Sequence, residues 1–174
     1  SRAGIKHRLM VAEIDPECTR LLSEPVLVFD GEQLGPTTEG PKFYKYDGWY
    51  YVLMPSGGVA TGWQSALRSK SVYGPYEYRI VMHQGETEVN GPHQGGWVTG
   101  VDGRHLFVHF QDVIALGRIT HLQPMWFNAG WPFIGEEKNG DGIGEPVAEW
   151  SLPAEGQPHY QIAESDDFAG TELG

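Results

Sequence analysis

A few acidic, basic and aromatic residues of this sequence lie beside glycines, where chains turn and present side chains to ligands. Glu39 precedes Gly40-Pro41 and an aromatic run, and His93 follows Gly91-Pro92. A carboxylic acid donates a proton near neutral pH when burial or a second carboxylate raises its pKa. Taken alone, Glu39 is equally typical of a solvated loop, and His93 of a hydrogen-bonded structural histidine. The surrounding elements decide between these interpretations.

The composition favours β-strands. Among 174 residues, 12% are aromatic, 24 are Gly and 12 are Pro. Aromatic residues suit half-buried strands, whereas Gly and Pro interrupt them. Apolar residues spaced three and four apart are scarce, so little helix is expected. We predict strands at 6–14, 25–29, 63–69, 78–83, 97–101, 104–110, 116–123 and 124–134, with a turn near Asn128-Ala129-Gly130 and a two-stranded hairpin at 42–54.

The sequence repeats with a period near 50 residues. Gly40-Pro41 and Gly91-Pro92 are 51 residues apart, and Asp47-Gly48 and Asp102-Gly103 are 55 apart. Asp-Gly between aromatic-rich segments favours a tight hairpin turn, in which both residues need positive φ. Several strands in a unit of this length are typical of β-propeller blades. The sequence is long enough for about three blades, whereas closed propellers have about 4–8.

Charge and cysteine content exclude several functions. The formal net charge is −11, whereas nucleic acids and anionic membrane surfaces bind clusters of Lys and Arg. The single Cys18 excludes an internal disulfide and a cysteine-based zinc site. No apolar run is long enough to span a membrane. We therefore predict no nucleic-acid and no membrane partner, and the compartment stays open between the bacterial cytoplasm, the periplasm and the extracellular space.

Four motifs resemble, in the same order, motifs of glycoside hydrolase family 43, whose members have a five-bladed propeller. They correspond to a third-blade Glu-Gly-Pro, an Arg-Ser segment, a region with a central histidine, and the Leu-Gly-Arg and Gly-Trp-Pro elements of the last blade. In this sequence they are Glu39-Gly40-Pro41, Arg68-Ser69-Lys70-Ser71 with Gly74-Pro75-Tyr76, Gly91-Pro92-His93, and Leu116-Gly117-Arg118 with Gly130-Trp131-Pro132. The similarity covers residues 1–135 and is greatest to β-xylosidases and α-L-arabinofuranosidases. It implies an all-β, partial propeller domain at residues 1–150.

The resemblance implies hydrolysis of β-xylosides or α-L-arabinofuranosides of plant hemicellulose with inversion. Glu39 matches the general acid, which protonates the leaving oxygen. A base carboxylate about 6.5–9.5 Å away activates water in inverting enzymes. The family's base and the third carboxylate that raises the pKa of the acid are expected upstream of Ser1. Asp15-Pro16 follows the predicted strand 6–14 and is interpreted as a surface turn, not as either of these carboxylates.

The resemblance also implies substrate-binding roles for His93 and Arg118. The histidine lies near the propeller axis in the family, where it contacts the sugar or helps to hold a hydrated calcium ion. Calcium prefers oxygen ligands, so one histidine is weak support for the metal role of His93. No cofactor is required for the reaction. Arg118 would donate its forked hydrogen bonds to sugar hydroxyls or carboxylates, unless it pairs with an acidic neighbour at the surface.

Two further candidates rest on position. Trp63 follows the loop at Gly57-Gly58, and we expect its indole to stack on a sugar. Gln111 ends the predicted strand 104–110 and either faces the pocket or closes a turn. His109 and His121 lie within predicted strands and are interpreted as structural.

Two functions therefore stay open: a glycosidase acting on small oligosaccharides, and a catalytically incompetent propeller piece with residual sugar binding or a structural role. Residues 151–174 are expected to be a linker to a β-sandwich domain. Exposed blade edges are expected to allow self-association.

Overall fold

The computed structural model describes residues 7–151, and all the regular structure in this range is β-strand. The strands form two four-stranded antiparallel sheets and one two-stranded hairpin. Their bounds are β1 Arg8–Val11, β2 Val26–Asp30, β3 Lys42–Tyr46, β4 Trp49–Ser56, β5 Trp63–Ser69, β6 Glu77–Met82, β7 His93–Thr99, β8 His105–Val113, β9 Gly117–Asn128 and β10 Trp131–Ile134. The predicted linker at 151–174 lies outside the described residues, apart from Ser151.

The two four-stranded sheets have the up-and-down order of propeller blades. The first sheet runs β3-β4-β5-β6, and the second runs β7-β8-β9-β10 in the same sense. Gly40 and Gly91, which precede the edge strands β3 and β7, have φ values of +49° and +47°. The repeat predicted from the two Gly-Pro pairs is therefore a repeat of structure, and the all-β propeller prediction is confirmed.

The aromatic hairpin forms as predicted. β3 and β4 pair in a register that places Tyr46 opposite Trp49, so Asp47-Gly48 is a two-residue turn. Asp47 has a φ of 46° and Gly48 a φ of 70°, and two positive φ values match the right-handed twist of the strands.

The prediction of separate strands at 116–123 and 124–134 was wrong. β9 continues through Pro124 to Asn128, and β10 begins only at Trp131. Pro124 lies just beyond the last β9–β10 pair, which is Met125 with Ile134. Its carbonyl still accepts a hydrogen bond from the Gly135 amide at 2.9 Å. The N–H that proline lacks would point to this same side of β9, where the ladder ends.

Two apolar cores hold the three units together. Leu53 and Ala66 of the first sheet pack with Phe107 and Met125 of the second. On the opposite face of the first sheet, a smaller core joins Val52, Met54 and Leu67 to the β1–β2 hairpin. The sheets therefore pack face to face, and the starts of β3 and β7 are brought to the same end of the structure.

Candidate active site

Glu39 and His93 are in contact, although they are 54 residues apart in the sequence. The Oε1 atom of Glu39 lies 3.0 Å from Nε2 of His93. The Glu39 amide donates to the carbonyl of Pro55 at 3.3 Å, which fixes this residue to the end of β4. The Glu39 side chain is 55% exposed, whereas that of His93 is 0% exposed. A carboxyl group that is held on one side by a buried imidazole and open to solvent on the other can transfer a proton to a ligand.

The surroundings of His93 favour the tautomer with the proton on Nε2. A carboxylate only accepts hydrogen bonds, so Nε2 donates to it in the ionised state of Glu39. The other ring nitrogen, Nδ1, is buried without a partner and lies near Gly62. A Cβ added at Gly62 would lie 3.1 Å from Nδ1, and 2.2 and 2.3 Å from the carbonyl oxygens of Gly58 and Ser56. Position 62 therefore needs glycine chiefly because of the two carbonyl oxygens, and a Cβ there would also crowd His93.

Arg118 lies at the same end of the second sheet, connected to His93 through Phe110. Its guanidinium is 4.6 Å from the centre of the Phe110 ring, and the Phe110 ring is 5.9 Å from the His93 ring. Arg118 is exposed, and its cross-strand neighbour is Asp112. The three predicted residues Glu39, His93 and Arg118 thus cluster at one end of the sheets.

Gln111 is turned to the other face of β8. Its amide nitrogen donates to Asn90 Oδ1 at 3.0 Å and to the Glu88 carbonyl at 2.8 Å. Its amide oxygen lies 3.1 Å from Nε2 of His121. Gln111 therefore anchors the connection that leads from β6 to His93, and its contact with a sugar stays a prediction.

Trp63 begins β5, and its indole lies against Gly57. Its Nε1 donates to the hydroxyl of Tyr78 at 3.4 Å, on the face of the first sheet that packs on the β1–β2 hairpin. This contact places the indole nitrogen on the hairpin side of the sheet, and stacking on a substrate stays a prediction.

Asn90 was not predicted as a site residue, although it precedes Gly91-Pro92 as Glu39 precedes Gly40-Pro41. Its side-chain amide donates to the Ala60 carbonyl at 3.3 Å, and its oxygen accepts from Gln111. The equivalent position in the repeat was the signal that could have identified it.

Two other histidines form a stacked pair between the sheets. The rings of His109 and His121 are 5.2 Å apart, with an angle of 17° between their planes. Burial lowers the pKa of His109 from its ordinary value of 6.5 to about 4, and burial also lowers the pKa of His121. Nε2 of His109 is buried without a hydrogen-bond partner, so this ring stays neutral at physiological pH.

The calcium role of His93 stays a prediction, because a hydrated ion takes oxygen ligands from water as well as from protein. Calcium binds six to eight oxygen atoms, whereas beside His93 the only carboxylate in hydrogen-bond contact within residues 7–151 is that of Glu39. No group of three His, Cys, Asp or Glu residues in this range could hold a metal. The same residues include no helix that could cross a membrane.

Comparison with known proteins decides the family. The sequence profile of Glycosyl hydrolases family 43 matches residues 1–132. The chain belongs to this family. The family-43 chain is 50% identical to a putative β-xylosidase of Xylanibacter ruminicola, over 83% of its own length and 27% of that protein. It is 33% identical to a β-xylosidase of Formosa agariphila, over 94% of its length and 30% of the relative.

Solved structures agree with this membership. An engineered family-43 glycoside hydrolase described as having both endo-xylanase and exo-arabinofuranosidase activity superposes with a TM-score of 0.72 at 32% identity. The match covers 94% of the family-43 chain and 31% of that structure. A family-43 protein from Bacillus licheniformis has a TM-score of 0.67 at 26% identity, over 79% of this chain and 28% of its own. The chain thus spans less than a third of the length of these relatives.

Proposed function

We propose that this chain supplies the general acid, Glu39, of an inverting glycosidase that acts on β-xylosides or α-L-arabinofuranosides. The observation that carries the proposal is the contact of Glu39 Oε1 with Nε2 of the buried His93 at 3.0 Å. Because the carboxyl group is open to solvent on its other side, a glycosidic oxygen can approach it without displacing His93.

The chemistry assigns a separate task to each residue. Glu39 in its acid form gives a proton to the leaving glycosidic oxygen, and a second carboxylate removes a proton from the attacking water. The carboxylate that forms on Glu39 then accepts from Nε2–H of His93, which stabilises the negative charge. Arg118, exposed at the same end of the sheet, has free donors for sugar hydroxyls.

The sugar class rests on the relatives. The similar proteins from Xylanibacter ruminicola and Formosa agariphila are described as β-xylosidases, and one from Bacteroides ovatus, 27% identical, as a non-reducing end α-L-arabinofuranosidase. Both sugars are pentoses, so a pocket for one is close in size to a pocket for the other.

The test is hydrolysis of p-nitrophenyl β-D-xyloside and p-nitrophenyl α-L-arabinofuranoside by a protein that contains this chain together with the base carboxylate. Because p-nitrophenol leaves without protonation, a xylo-oligosaccharide is the sharper substrate for Glu39→Gln. We expect that variant to lose activity by roughly 10²–10⁴-fold, the usual contribution of a general acid. Glu32→Gln, which changes an exposed carboxylate of the β2–β3 connection, is the control and should keep wild-type rates. Proton NMR of the first product should show the inverted anomer. Retained configuration, or full activity in Glu39→Gln, would contradict the proposal.

One observation favours a second candidate, a sugar-binding unit without turnover. The chain spans less than a third of the length of its relatives, and none of its Asp residues lies in a motif that matches the family's base, whereas inversion needs a base as well as an acid. This candidate predicts xylobiose-induced shifts in the NMR spectrum without release of product. Turnover by the chain that depends on Glu39 would exclude it.

A further inference from the structure

Glu39 and His93 belong to different sheets, so the distance between them depends on how the sheets dock. Glu39 is tied to β4 of the first sheet through the Pro55 carbonyl, and His93 is the first residue of β7 in the second. Apolar packing between the sheets is non-directional and does not by itself fix their alignment. Hydrogen bonds from one sheet to backbone carbonyls of the other are directional and can fix this alignment.

Strand β5 of the first sheet makes such bonds at two levels. Near the active site, Gln64 donates from Nε2 to the carbonyl of Pro92 at 3.2 Å. Pro92 is the residue that precedes His93. Gln64 is 1% exposed, and its Oε1 has no hydrogen-bond partner among residues 7–151. Its one hydrogen bond thus goes to the backbone that carries the histidine.

At the other end of β5, Arg68 binds the turn between β9 and β10. Its Nη1 donates to the carbonyls of Ala129 and Gly130 at 3.0 and 2.9 Å. Arg68 faces Tyr51 on β4, which is four residues from Pro55 and so roughly 13 Å from the active-site end of the strand.

The Arg68 guanidinium is held in place by a ladder of alternating cations and indoles. It lies 4.6 Å from the ring centre of Trp49 and 4.2 Å from that of Trp131. At the two ends of this ladder, Lys70 Nζ lies 3.8 Å from the ring centre of Trp49, and the Arg79 guanidinium lies 5.9 Å from the ring centre of Trp131. Because Trp49 is on the first sheet and Trp131 on the second, the planar guanidinium joins the sheets by stacking as well as by hydrogen bonds.

We propose that Gln64 and Arg68 are positioning residues that align the second sheet so that His93 meets Glu39. Neither side chain touches Glu39. Gln64 fixes the backbone at Pro92, and Arg68 prevents the second sheet from rotating about that point. The catalytic meaning of this alignment rests on the proposed function. The alignment itself rests only on the contact between Glu39 and His93.

The test reads that contact directly, by the rate at which the Nε2 proton of His93 exchanges with water in ¹⁵N-edited NMR of the full chain. Gln64→Met keeps the side-chain volume and removes the unpartnered oxygen, but it also leaves the buried Pro92 carbonyl without this donor. We therefore expect a loss of unfolding free energy of at most about 1–3 kcal/mol. We expect exchange about 5-fold faster in Gln64→Met, the factor that one ordinary hydrogen bond contributes. Arg68→Lys keeps the positive charge but loses the planar guanidinium and its paired donors, and it should also make the Nε2 proton of His93 exchange faster. Lys70→Gln, which removes only the outer cation of the ladder, should exchange at the wild-type rate.

Urea unfolding of each variant separates loosening of the pair from loss of the fold. Faster exchange in a variant that urea unfolding shows to be fully folded under the exchange conditions supports the positioning role. Wild-type exchange in folded Gln64→Met and Arg68→Lys would overturn it, and if one variant fails to fold, the other decides. The measurement needs no turnover, so failure of the proposed hydrolysis would leave this inference standing.

Discussion

The buried histidine His109 should make the stability of this protein fall as the pH is lowered from 8 to 5. Its pKa is about 4 in the folded protein and 6.5 in the unfolded chain. Below pH 6.5 the unfolded chain therefore binds a proton that the folded protein does not bind, and acid favours unfolding. The contribution of His109 is fully present above pH 6.5 and is lost as the pH approaches 4.

The size of the effect follows from the two pKa values. Between pH 6.5 and pH 5, a span of about 1.5 pH units, the unfolded chain carries nearly one more proton on His109 than the folded protein. At about 1.4 kcal/mol per pH unit, this lowers the unfolding free energy at pH 5 by about 2 kcal/mol relative to pH 8. Burial lowers the pKa of His121 as well, which adds to the loss in the same direction. A decrease of this size is a large part of the stability of an ordinary domain.

The assay is urea unfolding at pH 8 and pH 5, followed by tryptophan fluorescence. His109→Gln has no imidazole to protonate, so its loss between the two pH values should be about 2 kcal/mol smaller than that of the wild type. Lys138→Gln, which removes an exposed charge but no imidazole, is the control and should keep the wild-type loss. Equal losses in the wild type and His109→Gln, or an NMR titration of His109 with a midpoint above 6, would refute the reasoning.

Two further outcomes follow from packing. Gly62→Ala should lower the unfolding free energy by about 1–3 kcal/mol, because a Cβ at this position meets two carbonyl oxygens within 2.3 Å. The control is Gly96→Ala, whose Cβ has its nearest neighbour at 3.5 Å and should cost clearly less in the same urea experiment. The outer face of the second sheet exposes Leu122 and Trp126, at 46% and 39%, and the protein should self-associate through it. Light scattering on a sizing column should show a mass that rises with concentration in the wild type and much less in Leu122→Lys, and a concentration-independent monomer would contradict this expectation.

The sequence predicts those features of the fold that depend on local rules. The turn at Asp47-Gly48 and the equivalence of Gly40 with Gly91 are set by the φ values that these residues permit, and both are confirmed. The break predicted before Pro124 was wrong because the cost of a proline depends on where the neighbouring strand ends, and that is a property of the assembled sheet.

The candidate site shows the same division. The Gly-Pro repeat places Glu39 and His93 at equivalent ends of neighbouring blades, so their approach follows from the propeller prediction. The face to which Gln111 or Trp63 turns depends on strand register, which shifts at the bulges between His93 and Gly96 and between Gln64 and Ser65. The unpartnered nitrogen of His109 is a result of packing between sheets, and no local pattern reveals it.

The equivalence of Glu39 and Asn90 has a consequence for how such a protein acquires chemistry. Both residues precede a Gly-Pro pair at the head of the edge strand of a blade, yet one is an acid in contact with His93 and the other an amide that binds the Ala60 carbonyl. The two blades therefore share the backbone position without sharing the reactive group. The residue type at that position decides whether it presents an ionisable group or a contact between loops, so two different tasks can occupy one scaffold position.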